Sequence, residues 1–190
     1  MPKDDIITLP NKHLRTKSKE VLKLNDKIKT IVNNMVLATL HWDQSREHEI
    51  GVALAAVQID QLYRIVIVRN NHDDKKDLSF KAYINPKIIK KEGDIIEDYE
   101  GCLSVPDVYG KVPRYNKVRL SAMNLEGNIF KETVSGFMAR ILQHEIDHTE
   151  GILFIDHIKN REDSFYKLNK VGKLEKLEYQ KDVKKNPILW

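Results

Sequence analysis

A single cysteine in 190 residues excludes an intramolecular disulfide. Cys102 must then be a small buried hydrophobe, a nucleophile or a metal ligand. No stretch approaches the roughly 20 consecutive apolar residues of a membrane-spanning helix. The opening MPKDDIITLP places two acids where a signal peptide has a basic start and an apolar run. The expectation is a cytoplasmic protein whose partners include neither membrane nor DNA. Internal repeats and low-complexity linkers are missing too. What is present is an ordinary globular balance, 41% hydrophobic and 32% charged, in a chain long enough to bury a core without covalent staples. The net charge of +4 says little by itself. Residues 159–185, however, carry nine Lys/Arg against five Asp/Glu, a net equal to that of the whole chain. One reading is a solvated helical face. The other is a docking surface for an anion such as ribosomal RNA.

Periodicity suggests an α+β fold. From Asn25 to about His41, Ile28, Ile31, Val32 and Met35 form one helical stripe, with Asn25 or Asp26 as N-cap. Tyr63–Asn70 is short and β-branched, as a buried strand would be. Lys81–Ile84, Pro86–Lys90 and Val118–Ala122 are further strand-like stretches. The turn at Glu126–Asn128 joins Val118–Ala122 to Phe130–Val134 as a hairpin. A helix is expected from Phe137 to about Thr149, closed by Gly151. A second is expected from Ser164 to about Tyr179, with Leu168, Val171, Leu174 and Leu177 on one side. Strands come early and the main helix late, which argues against a parallel α/β sheet.

The main helix contains His144-Glu145-Ile146-Asp147-His148. Positions i and i+4 lie about 40° apart around a helix, so both imidazoles can share one metal ion. Glu145 is then placed to accept a proton from water activated there. The competing reading of these five residues is a helix with two surface histidines. A third ligand decides between them. Downstream candidates are Glu150 and His157; upstream stands Cys102, between Gly101 and Pro106. A thiolate with two imidazoles makes a workable open site, whereas a core cysteine is the commoner fate.

Three segments in order resemble the signature motifs of peptide deformylases: GVALAAVQ at Gly51–Gln58, EGCLS at Glu100–Ser104 and QHEIDH at Gln143–His148. NPKI at Asn85–Ile88, VPRYNKV at Val112–Val118 and EGILF at Glu150–Phe154 extend the likeness across roughly residues 6–160. The resemblance implies antiparallel β-sheets packed around a central helix that carries HExxH, followed by a C-terminal helix. It implies a catalytic domain over 1–160, and 161–190 as a basic helix and tail. Cys102, His144 and His148 would hold one divalent ion. Ferrous iron is the family's active ion, with zinc, nickel or cobalt as replacements. Glu145 would be the general base, while the Gln58 amide and the Leu103 N–H would meet the formyl oxygen. Glu100 and Arg114 would support the site, with Asp147 orienting a neighbour. Gly51, Val52, Ala53 and Ile141 would contact substrate.

The implied reaction removes the formyl group from the N-terminal formyl-methionine of nascent polypeptides and releases formate. Formyl is the smallest acyl group, so a tight site can exclude acetyl. The family has glycine at the position of Ala53; a positive φ there would strain alanine. Two rivals remain distinct. A metallopeptidase of HExxH type would not need Cys102, and a ribosome-associated binding module would not need Glu145.

Overall fold

A computed structural model describes residues 6–45, 49–169 and 171–190. Helix α1 spans Asp26–Gln44, its first turn capped by the Asn25 side chain, which accepts from the Ile28 N–H at 3.1 Å. Ile28, Ile31, Val32 and Met35 are buried along it. Strand β1 (Ala53–Ala55) pairs with β2 (Ile65–Arg69), which pairs with β3 (Phe80–Cys102). Next follow β4 (Val105–Met123), β5 (Ile129–Ser135) and helix α2 (Gly136–Thr149). The short α3 (Phe154–His157) leads to β6 (Phe165–Leu168) and β7 (Leu174–Lys176). These strands form one seven-stranded sheet in the order β1-β2-β3-β4-β6-β7, with β5 also on β4, and every pairing is antiparallel. The fold is therefore α+β, with a mostly antiparallel sheet and few helices.

Strand β2 explains how the layers meet. All five of its residues are buried, because both faces are covered. Ile65 and Ile67 pack towards α1, while Val66 and Val68 pack with Ile141 and Leu142 of α2. The sequence IVIVR meets both demands through period-2 alternation.

Where separate strands are expected at 81–84 and 86–90, one 23-residue strand runs through. Its register against β4 shifts between Ile84 and Lys87, Ile88 and Lys90, Glu92 and Ile95, and Gly101 and Cys102. Such bulges bend a ribbon that would otherwise extend about 75 Å. Asn85 takes φ +51 at the first, with its side-chain amide donating to the Val21 carbonyl and its oxygen accepting from the Val21 N–H.

The helix expected over Ser164–Tyr179 is not formed. That segment holds β6 and β7, followed by a π-helical turn at Tyr179–Val183. The cause is local turn chemistry combined with core packing. Asn169 Oδ1 accepts from the N–H groups of Val171 and Lys173, and Gly172 adopts φ +74. Leu168 pairs directly with Leu174, whereas Val171 is exposed at the tip. Phe165, Val183 and Leu189 belong to the same apolar cluster as Leu14, Val112 and Phe154. No described helix is long and apolar enough to cross a membrane.

Candidate metal centre and active-site cleft

Helix α2 presents Arg140, His144 and His148 at i, i+4 and i+8, one face of the helix. Gln143 fixes that face. Its amide donates to the carbonyls of Tyr115 (2.8 Å) and Ala139 (2.9 Å), and its oxygen accepts from the Tyr115 N–H at 3.3 Å, tying α2 to β4.

Cys102 closes β3 opposite this face. Its Sγ lies 3.2 Å from His148 Nε2. One donor atom from each of Cys102, His144 and His148 falls within 4.8 Å of the other two. Glu100, two residues before the cysteine, organises the surroundings. Its Oε2 accepts from His144 Nδ1 (2.9 Å) and Arg114 Nη2 (3.0 Å); its Oε1 accepts from Arg114 Nε (2.9 Å) and Arg140 Nη1 (2.7 Å). Burial alone would raise this carboxyl, but its contacts with His144 and Arg114 hold it far below the usual range. With Nδ1 engaged, the other His144 nitrogen is free to coordinate, the arrangement typical of a metal-binding imidazole. Burial pushes His148 towards the neutral form that a ligand needs. A thiolate and two imidazoles this close fit a divalent transition ion.

Two other motif residues converge here. Gln58 is buried, and its Oε1 accepts from the Ala55 N–H at 2.8 Å. That fixes the amide so that Nε2 faces Ser104 Oγ (3.1 Å) and Cys102 Sγ (3.6 Å). The N-terminal segment clips the two motifs together, since the N–H groups of Ile7 and Leu9 donate to the carbonyls of Gln58 and Ser104. Glu145 is 5% exposed, and its Oε2 has no hydrogen-bond partner. Burial pushes its carboxyl up to about 7.

A cavity of about 470 Å³ opens beside these groups, with Cys102, Leu103, His144, Glu145 and Gln58 in its wall. Val52, Ala53 and Ile141 line it as well, together with Glu100. Gly51 does not line it. Its N–H donates to Asp43 Oδ1 at 2.6 Å and its carbonyl accepts from the buried Arg69, which is itself paired with Asp43. A Cβ there would lie 2.6 Å from Thr39 Cγ2, so this glycine permits close packing on α1. Ala53 sits in β1 opposite Val68, outside the positive-φ residues, and carries no backbone strain.

Neither downstream third-ligand candidate joins the triad. His157 Nε2 is 2.7 Å from Asp147 Oδ2 and 3.2 Å from Arg114 Nη1, while Glu150 pairs with Lys17 and Arg64. Asp147 also pairs with Arg114, so it reaches His144 through Arg114 and Glu100. Three contributors escape the motif reading. Arg140 stands four residues before His144, a spacing that could have revealed it. Tyr109 and Leu168 come from strands with no sequence mark of the site.

The sequence model of the polypeptide deformylase family matches residues 3–164. A peptide deformylase of Rhodopseudomonas palustris (strain TIE-1) is 38% identical over 157 residues, 81% of this chain and 85% of that protein. One from Buchnera aphidicola of Acyrthosiphon pisum (strain Tuc7) is 37% identical over 173 residues, 88% and 94% of the two chains. Among solved structures, a Synechococcus elongatus peptide deformylase in complex with actinonin superposes with TM-score 0.73. It shares 30% identity, over 85% of this chain and 83% of that one.

Proposed function

Since the chain belongs to the polypeptide deformylase family, hydrolases of an N-formyl amide, we propose that Cys102, His144 and His148 hold its catalytic ion and that Glu145 is its general base. The observation that carries this reading is the buried Glu145 carboxyl, its Oε2 without a partner, in one cavity with Cys102 and His144 of a Cys102/His144/His148 donor set. A divalent ion there supplies Lewis acidity, which lowers the pKa of water and polarises the formyl carbonyl.

Glu145 takes the proton of the attacking water as its oxygen adds to the formyl carbon. The same carboxyl hands that proton to the amide nitrogen as the C–N bond breaks, leaving formate and a free amine. Negative charge developing on the formyl oxygen is met by the Gln58 amide, already aimed by the Ala55 N–H, and by the Leu103 N–H. Val52, Ala53 and Ile141 receive the formyl-methionine. Glu100 orients His144, with Arg114 holding Glu100 in turn. Ferrous iron is the ion of choice, with zinc, nickel or cobalt as substitutes. The thiolate makes activity sensitive to oxygen.

The direct test is formate release from formyl-Met-Ala-Ser by protein prepared without oxygen and loaded with ferrous iron or nickel. Release should fall by about 10²–10⁴ in Glu145→Gln and disappear in Cys102→Ala. Survival of activity in Cys102→Ala would favour a peptidase of the HExxH type. The substrates are nascent polypeptides, and the protein works in the cytoplasm. A ribosome contact through residues 159–185 calls for charge reversal at exposed Lys167, Lys173 and Lys176. Truncation would also remove the core residues Phe165, Val183 and Leu189.

A further inference from the structure

The catalytic cavity does not end at the donor set. It extends to Tyr99 and Tyr109 and reaches Leu168 and Leu174 of the C-terminal hairpin. The matched family region stops at residue 164, so Leu168 and Leu174 lie beyond it while Tyr99 and Tyr109 lie within it. Strand register places these side chains on one face of the sheet. Gly101 pairs with Tyr109, Tyr109 with Tyr166, and Leu168 with Leu174; directly paired residues project to the same side. Tyr99 is two residues from Gly101, and Tyr166 two from Leu168, so the alternation carries both onto that face. Their rings meet edge-on, with centroids 5.0 Å apart.

Gly101 leaves a gap that the Tyr109 ring fills, since a Cβ there would lie 2.7 Å from Tyr109 Cε1. The Tyr109 hydroxyl donates to Glu49 Oε1 at 2.6 Å, joining this face to the opposite rim of the cleft. Leu168 and Leu174 are only half-buried, and Tyr99 is 42% exposed. The face is apolar, pinned at its centre and continuous with the site.

We infer that Leu168 and Leu174, with Tyr99 and Tyr109, form an apolar subsite for the side chain of the second or third residue of the formyl-methionyl peptide. The inference rests on the deformylase reading. With the formyl carbon beside Glu145, the rest of the peptide must leave along the cavity, and this face is the wall that continues it. A volume of 470 Å³ is in the range that accepts ligands larger than one amino-acid residue. An apolar side chain resting here loses water-exposed surface against two leucines and tyrosine rings, whereas a carboxylate is desolvated without compensation.

The test compares kcat/KM for formyl-Met-Xaa-Ser and formyl-Met-Ala-Xaa, with Xaa as Ala, Leu or Asp. The expected result is a Leu-to-Ala ratio of about fivefold or more at one of the positions, carried by KM. In Leu168→Ala and Leu174→Ala that ratio should fall towards one. Because it is a ratio within one preparation, incomplete folding or metal loading cancels. Leu174→Lys should raise the Asp-to-Ala ratio at the same position by about threefold or more. Equal ratios in wild type and variants, or no preference at either position in wild type, overturn the subsite while leaving deformylation standing. Absence of formate from every peptide overturns the deformylase reading and the subsite with it.

Discussion

Glu100 accepts four hydrogen bonds from three side chains, two from Arg114 and one each from Arg140 and His144. Replacing it with glutamine removes the charge and turns one of the two accepting oxygens into a donor, which weakens the grip on the His144 ring. Metal affinity in Glu100→Gln should drop about 10- to 100-fold, measured by competition with a chromophoric chelator. An unchanged affinity would mean that His144 is oriented by packing alone. Ala53 leads to the opposite expectation. Its backbone is ordinary strand, so a glycine in its place relieves nothing. Ala53→Gly should keep formate release within about threefold and cost roughly 0.5–1 kcal/mol of stability through added chain entropy. A large rise in kcat/KM would show that the methyl group obstructs substrate.

Helix α2 is placed by Gln143, whose amide and oxygen satisfy both the carbonyl and the N–H of Tyr115 on β4. Gln143→Ala leaves those half-buried groups without their partner and should cost about 1 kcal/mol in urea denaturation. At this scale the sequence is unevenly legible. The stripe Ile28, Ile31, Val32 and Met35 is readable because a helix with one buried face writes its period directly. The continuous 80–102 strand is not, because its outer stretch is solvated on both faces and has no apolar alternation to read. The C-terminal hairpin misleads for another reason. Leu168, Val171, Leu174 and Leu177 mimic a helical stripe, yet Asn169 and Gly172 between them supply a tight turn. The candidate donor residues are legible as chemistry, since His144 and His148 follow helical spacing. Their pairing with Cys102 depended on a resemblance, because no local rule joins residues 46 positions apart. The wall proposed as a subsite has neither aid, for Leu168 and Tyr109 share a face only through sheet register.

For the molecule as a whole, acid should be the weak direction. Glu100 and Asp147 are both held below their ordinary values of 4.5 and 3.8 against burial, Glu100 by His144 and Arg114, Asp147 by His157 and Arg114. Depressed folded values mean that their stabilisation is complete above about pH 5 and is lost as pH falls through the folded values. Thermal midpoints should therefore drop steeply below pH 4.5, and less so in a Glu100→Gln background. Removal of residues 165–190 should be worse than mild acid. Losing the fully buried Phe165 and Val183, with Leu189 beside them, forfeits roughly 5 kcal/mol or more, comparable with the whole stability of a typical domain. Circular dichroism should then show no cooperative melting transition. The reach from Cys102 to His148 has a last consequence. If Cys102 and His148 hold one ion, the intervening chain, including the β4–β5 hairpin, would be tied off as by a covalent cross-link. By the loop-closure argument, such a knot withdraws about 4 kcal/mol of freedom from the unfolded chain. Stripping such an ion with a chelator should thus lower the melting temperature as well as the rate, and the proposed metal site would then serve as a clasp of the fold.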